Sequence, residues 1–215
     1  VTLPILFADS HFVVLNKPAG LAVHPGPSGG PSVEDWFPLL SRRRDGPWLA
    51  HRLDADTAGC LVVALRKAAL LAAQAMFAEG RAQKLYWAVV EGGPDAAEGV
   101  IDAPLIKRRN RMGWRMAVDP AGQPSVTQWR VLGRGGGRTW LELTPRSGRT
   151  HQLRVHCAHR GWPMLGDPLY GTGDDLHLLA RQIRLELTPV LQAIAPPPPA
   201  MQAALIACGW GPGSA

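Results

Sequence analysis

Two short stretches of the chain concentrate the side chains that do chemistry. The first is His51-Arg52-Leu53-Asp54-Ala55-Asp56-Thr57-Ala58-Gly59, a charged loop directly ahead of the apolar run 60–65. A carboxylate beside a guanidinium is held ionised and is then a competent nucleophile. The same residues also make a turn in which Asp54 or Asp56 caps local backbone, a common use of Asp. Read alone, they favour the turn. The second stretch is Arg146-Ser147-Gly148-Arg149-Thr150-His151-Gln152-Leu153-Arg154-Val155-His156. A helix starting at Thr150 puts His151 and Arg154 at i, i+3 on one face. Arg149, just ahead of it, and the unpaired N–H groups of the first helical turn then form an anion-binding surface. His151, His156 and His159 with Cys157 invite a metal reading. H-x4-H-x2-H is not a zinc spacing, however, and H-E-x-x-H is absent. No metal is expected, and His156 and His159 read as a partly buried or solvated helix face.

The elements that must position these stretches follow from periodicity and turn chemistry. Residues 4–23 read as strand, turn, strand, with Asp9-Ser10 turning the chain and Lys17-Pro18-Ala19-Gly20 ending the second strand. Residues 25–31 form a Gly, Pro and Ser loop, and Ser32 caps a short helix over 33–40. Arg42-Arg43-Arg44-Asp45-Gly46 is a basic loop. Residues 60–65 are a strand, 67–79 a helix closed by Gly80, and 84–90 a strand. Residues 126–132 and 138–144 pair as a hairpin, with the glycine-rich 133–137 as a flexible turn. That cluster has neither G-x-G-x-x-G spacing nor a following Gly-Lys-Ser/Thr, so it is no phosphate loop. A helix over 150–160 ends at Gly161, and 176–187 ends in a strand. The prolines 196–199 make a surface connection to a short helix over 201–208. No break is wide enough for a domain boundary. The pattern is one α+β domain, residues 1–215, built on a mixed, largely antiparallel sheet flanked by helices and loops.

Composition narrows the class. The chain has 215 residues, enough to bury a sizeable core, and 46% of them are hydrophobic, against global disorder. No apolar run reaches the length of a membrane span, and no signal peptide is visible. Cys60, Cys157 and Cys208 are odd in number and widely spaced, as expected for reduced thiols in a cytoplasmic protein. The net charge is +6, and 19 of the 23 cations are Arg. Arg forks recognise phosphate, so a nucleic-acid partner fits. A merely basic surface from compositional bias toward Ala, Gly, Pro and Arg explains the number equally well. Lys107 to Arg115 holds five cations around Trp114. That interleaving suits an RNA backbone and a base face, and it suits an exposed hairpin too.

Taken together and in order, these stretches resemble the RluA family of RNA pseudouridine synthases. Asn16-Lys17-Pro18-Ala19-Gly20-Leu21-Ala22-Val23-His24-Pro25 is similar to the family's first motif. His51 to Gly59 matches the catalytic H-R-L-D-x-x-T-x-G. Lys84-Leu85-Tyr86-Trp87-Ala88-Val89-Val90 resembles K-x-Y-x-A-x-V. Gly148 to His156 resembles G-R-T-H-Q-L-R-V-H, and Leu165-Gly166-Asp167-Pro168-Leu169-Tyr170-Gly171 matches L-G-D-x-x-Y-G. The resemblance implies a pseudouridine-synthase fold and isomerisation of uridine in ribosomal or transfer RNA, without cofactor or metal. It implies catalytic roles for Asp54 as nucleophile, Arg154 as the cation paired with it, and Tyr86 against the uracil face. It implies substrate contacts by Arg52, which fills the space left by a flipped nucleotide, by Arg149 on phosphate, and by Ile183 against the base. Leu179 stands where the family often has His, and Ala58 where Ser is frequent. No segment precedes Pro4 that could form an S4 RNA-binding module, so substrate selection is expected from the catalytic domain of a monomer.

Two other readings compete. A nucleoside or glycoside hydrolase needs two carboxylates roughly 5–9.5 Å apart across a sugar, and Asp54 and Asp56 on one short loop are poorly placed for that. A catalytically inactive RNA-binding module explains the arginines. It gives no reason for an anion, Asp54, beside them.

Overall fold

The computed structural model describes residues 3–26, 29–43, 45–110 and 113–211. Arg44 of the basic loop, Arg111 of the cationic run and Pro27-Ser28 of the Gly/Pro loop lie outside them. In chain order the elements are β1 (Ile5–Ala8), β2 (Phe12–Lys17), a 3-10 turn (Val33–Trp36) continuing into α1 (Phe37–Leu40), β3 (Trp48–Leu49), β4 (Ala58–Ala64), α2 (Lys67–Ala78) and β5 (Gln83–Glu91). They continue with β6 (Glu98–Asp102), β7 (Leu105–Asn110), β8 (Gly113–Val118), β9 (Val126–Gly135), β10 (Arg138–Pro145), α3 (Gln152–His159), β11 (Leu178–Leu185), β12 (Leu191–Ile194) and α4 (Pro199–Ala207). This is the expected α+β mixture. The chain forms two compact units, 1–84 with 179–197, and 85–178 with 198–215.

In the first unit β4 is the organising strand. All seven of its residues are buried, the near-continuous apolar run of a strand covered on both faces. β2 pairs with it antiparallel from Phe12↔Ala64 to Lys17↔Gly59. Its other edge is shared. β11 pairs parallel at Leu179↔Ala58 and Ala180↔Gly59, and β3 pairs antiparallel at Trp48↔Ala64 and Leu49↔Val63. The sheet is therefore mixed, with β1 on β2 and β12 on β11 both antiparallel. Gly59 is required by the parallel contact. Its φ is +111°, and a Cβ there would lie 2.3 Å from the Ala180 carbonyl oxygen.

In the second unit β10 lies between β5 and β9, and β6 pairs with β9, all antiparallel. Ala88, Val90, Trp129, Leu141 and Leu143 on these strands pack with Leu153, Cys157, Trp162 and Met164 into one core cluster. β7 and β8 form a separate two-stranded hairpin from Leu105↔Val118 to Asn110↔Gly113. The cationic run is thus a hairpin, as one of its two readings expected. The three cysteines are free and buried. Among the described residues no helix is long and apolar enough to cross a membrane.

Three expectations are corrected. The glycine-rich segment is not a flexible turn over 133–137. Only Gly136 and Gly137 turn, at φ +59° and +73°, while Gly133 and Gly135 are strand residues. Their missing side chains make room for the end of α4, since a Cβ at Gly135 would meet the Ala207 oxygen at 1.8 Å. The helix expected from Thr150 starts at Gln152, because His151 takes a left-handed backbone at φ +52°. The proline run is not wholly a surface connection. Pro197 is buried, and Pro199 opens α4 at a first-turn position, where a missing N–H is no loss.

Candidate active site

The Asp54 loop joins β3 to β4 and is tied down by backbone. The Thr57 N–H donates to the Asp54 oxygen at 3.1 Å, closing a tight turn. The Ala55 oxygen accepts from Gly20 N–H at 2.9 Å and from Lys17 Nζ at 2.7 Å. Lys17 is 0% exposed. Its ammonium also donates to the Pro18 and Leu21 oxygens, both at 2.8 Å, so all three donors are used. Burial lowers its pKa to about 8, against the opposing pull of the Asp56 and Asp54 charges. A buried cation thus sits in the electrostatic reach of both carboxylates and holds their loop from the end of β2. The sequence motif that contains Lys17 carries no sign of this anchoring contact. A contact 38 residues away in the chain leaves no local signature.

His51 fixes the other side of the loop. The Val62 N–H of β4 donates to its Nε2 at 3.1 Å, and the ring lies 4.8 Å from that of Phe77 on α2. Burial lowers its pKa to about 4, so at neutral pH the ring is uncharged and can accept that bond. Between these anchors Asp54 is half-buried and Arg52 is exposed. Ile183, on β11 in the same unit, is 2% exposed.

The second unit carries Tyr86, Arg149 and Arg154. Tyr86 is half-buried on β5, opposite Leu143, against the core cluster. Arg154 is 1% exposed. Its Nε and Nη2 donate to Asp167 Oδ2 and Oδ1 at 2.9 and 2.7 Å, a bidentate buried pair. Asp167 Oδ1 also accepts from Leu169 and Tyr170 N–H at 2.9 and 3.1 Å. Burial pushes the Asp167 carboxyl up, yet the Arg154 fork and the two amides outweigh it and hold it below the usual range. The sequence motif around Asp167 gives it no role, and its structural setting makes it the group that orients Arg154.

Gln152 builds the Arg149 loop. Its Nε2 donates to the Val126 oxygen at 3.0 Å and to Thr127 Oγ1 at 3.1 Å, and its Oε1 accepts from Ser147 Oγ at 2.7 Å and from Arg149 N–H at 3.2 Å. Arg149 itself is exposed. His151 does not share a helical face with Arg154. The two meet instead at Tyr170, with His151 Nδ1 2.8 Å from its hydroxyl and the Arg154 guanidinium 5.4 Å from its ring centre. His156 is wholly buried, with Nδ1 2.9 Å from Thr127 Oγ1 and Nε2 3.0 Å from the Ala103 oxygen. Both ring nitrogens are engaged in structural bonds, and among the described residues no group of three His, Cys, Asp or Glu is placed to hold a metal ion.

The family described as RNA pseudouridylate synthase matches residues 11–159. An uncharacterized RNA pseudouridine synthase of Zymomonas mobilis is 40% identical over 207 residues, covering 91% of this chain and 94% of that protein. The ribosomal large subunit pseudouridine synthase C of Vibrio cholerae is 40% identical over 167 residues, covering 78% of this chain and 52% of that protein, so the chain spans about half its length. Among solved structures, human RNA pseudouridylate synthase domain containing 4 superposes with a TM-score of 0.80 at 29% identity, over 95% of this chain and 92% of that one.

Proposed function

From the premise that the chain belongs to the RNA pseudouridylate synthase family, isomerases that act on RNA, we propose that it converts uridine in structured ribosomal or transfer RNA to pseudouridine with Asp54 as nucleophile. The observation that carries the proposal is the family match over 11–159, which takes in Asp54, Tyr86, Arg149 and Arg154 and includes residues of both compact units. The relative from Vibrio cholerae is named for the ribosomal large subunit, which supports ribosomal RNA as the substrate class.

The isomerisation breaks the N1 glycosidic bond, turns the uracil while it is enclosed, and joins its C5 to the sugar. The C5 proton leaves and N1 gains one, so the reaction consumes no water and needs no redox partner. Asp54 must be ionised at neutral pH, the role given to Arg154 as its cation. A guanidinium carries five N–H donors, more than one carboxylate accepts, so the pair with Asp167 is compatible with a second carboxylate. Tyr86 lies against the uracil face and assists the C5 proton. Extruding the uridine from its stack costs a few kcal/mol. Arg52, exposed two residues before Asp54, fills the vacated space, and Arg149 holds phosphate. Ile183 is an apolar wall beneath the base.

The test is Asp54→Asn on an unmodified RNA transcript. Tritium release from C5-labelled uridine falls to background, while RNA affinity stays within about tenfold of the parent, because phosphate contacts dominate binding. Retained release would remove Asp54 from the chemistry. The result also separates the two competing readings, since a hydrolase yields free uracil and an inactive binding module yields no release from the parent either.

A further inference from the structure

The β7–β8 hairpin is joined to the Arg154 site by a column of rings and cations, all within the second unit. At its outer end Lys107 Nζ lies 4.2 Å from the centre of the Trp114 ring, which is 44% exposed. Trp114 stacks on His151, with centroids 5.3 Å apart and planes 23° from parallel. His151 meets Tyr170 edge to face at 5.6 Å, and the Tyr170 ring underlies Arg154. A polar path runs alongside. The Tyr170 hydroxyl accepts from the Met116 N–H of β8 at 3.0 Å and pairs with His151 Nδ1. A hydroxyl has capacity for both. In a two-stranded hairpin alternate amides point away from the partner strand, and Tyr170 captures one of these.

His151 is also the one non-glycine residue with positive φ among those described. Histidine tolerates that region better than most residues, but a left-handed conformation still carries strain, and such strain persists where surrounding contacts hold it. The ring contacts with Trp114 and Tyr170 supply that hold. A helix beginning one residue earlier would turn the His151 ring onto the α3 face, out of the column.

We infer that Tyr170, acting with His151, is a positioning residue that pins the basic β7–β8 hairpin to the end of α3, and so fixes where RNA gripped by the hairpin lies relative to Arg154. The inference deepens the proposed function and rests on it for its RNA arm. The hydroxyl and the ring have separable jobs. The ring supports Arg154, and the hydroxyl holds the hairpin. Tyr170→Phe therefore keeps the first and deletes the second.

The experiment uses the full chain as parent, Tyr170→Phe and His151→Asn, with two readouts. One is amide exchange at Met116, followed against the core amides of β10. The other is kcat and KM on an unmodified large-subunit ribosomal RNA transcript. Asn is chosen at 151 because it accepts positive φ while removing the ring. In both variants Met116 exchange accelerates about tenfold or more, with β10 unchanged, as the loss of one or two hydrogen bonds dictates. KM rises about tenfold and kcat stays within about threefold. Parental exchange at Met116, or parental KM, in both variants overturns the inference. So does a kcat loss matching that of Asp54→Asn, which would place Tyr170 in the chemistry itself. If the parent chain makes no pseudouridine on any RNA, the proposed function fails, while the exchange measurement still decides whether Tyr170 pins the hairpin.

Discussion

Asp167 shows how one buried carboxylate sets the orientation of a guanidinium, that of Arg154. It accepts four hydrogen bonds, two of them from a buried guanidinium. Replacing it with Asn removes the carboxylate that the buried Arg154 fork grips with two bonds, and breaking a buried pair in this way costs about 3–5 kcal/mol. Asp167→Asn is expected to lower stability by about 3 kcal/mol in urea unfolding, and a loss below about 1 kcal/mol would mean that another anion neutralises Arg154. His51 gives a second test, in pH. Its pKa falls from 6.5 to about 4 on folding, so between those values the unfolded chain binds a proton that the native chain excludes. The stability from neutral His51 is complete above pH 6.5 and is lost as pH falls toward 4. His51→Gln keeps an acceptor for the Val62 N–H without titrating, so its urea midpoint should drop less than the parent's between pH 7 and 4.5. An equal drop would assign the acid loss to other groups. Charge density alone left the Asp54 loop as a turn, and Asp54 and Arg154 became candidates only through five motifs standing in register along the chain. Lys17 and Asp167 were not legible as site residues. Their partners, Ala55 and Arg154, are set by packing between segments far apart in the chain, and residue type does not announce that.

At the level of elements, the strands were legible where apolar runs were uninterrupted. β2, β4 and β5 fall where periodicity placed them, and α2 ends at Ala78 with Glu79 as its C-cap just before Gly80, as its capping signal implied. The errors came where one element's conformation answers to another. The start of α3 depends on the rings around His151, and Gly133 and Gly135 depend on α4. Composition alone cannot tell a glycine that bends from one that makes room. Two substitutions can. Gly135→Ala forces a methyl against the Ala207 oxygen, and overpacking of that kind costs about 1–3 kcal/mol, a fall of several degrees in Tm. Gly136→Asn enters a turn position at φ +59° with open space around it. Asn tolerates that region, so the change should stay within about 0.5 kcal/mol. Equal Tm values for the two variants, measured by calorimetry, would show that 133–137 behaves as one flexible loop after all.

For the whole molecule, the question is whether +6 reflects a binding surface or only a basic composition. Position decides it. Several arginines are neutralised where they stand: Arg81 on Glu79 at 2.6 Å, Arg130 on Glu142 at 2.7 Å, Arg184 on Glu186 at 2.8 Å, Arg108 on Asp119, and Arg154 on Asp167. A cation already paired releases few counter-ions from RNA. Lys107, Arg109 and Arg115, by contrast, are exposed along β7 and β8, around an exposed Trp114. Binding through n phosphates makes log K fall with log salt at a slope of roughly 0.7–0.9 per contact. Changing Lys107, Arg109 and Arg115 together to Gln should weaken RNA binding at every salt and flatten that slope by about 2. Changing Arg81 and Arg130 to Gln alters net charge in the same direction but should leave the slope within about 0.5 of the parent. Fluorescence anisotropy from about 50 to 300 mM KCl distinguishes the two. If both sets flatten the slope in proportion to the charge removed, RNA responds to the net charge of the molecule, and the hairpin has no privileged role. If only the hairpin set does, the basic excess is functional at one place and compositional elsewhere. That outcome also agrees with a hairpin held in a fixed position by Tyr170, because a loosely attached arm would exchange its phosphate contacts for others.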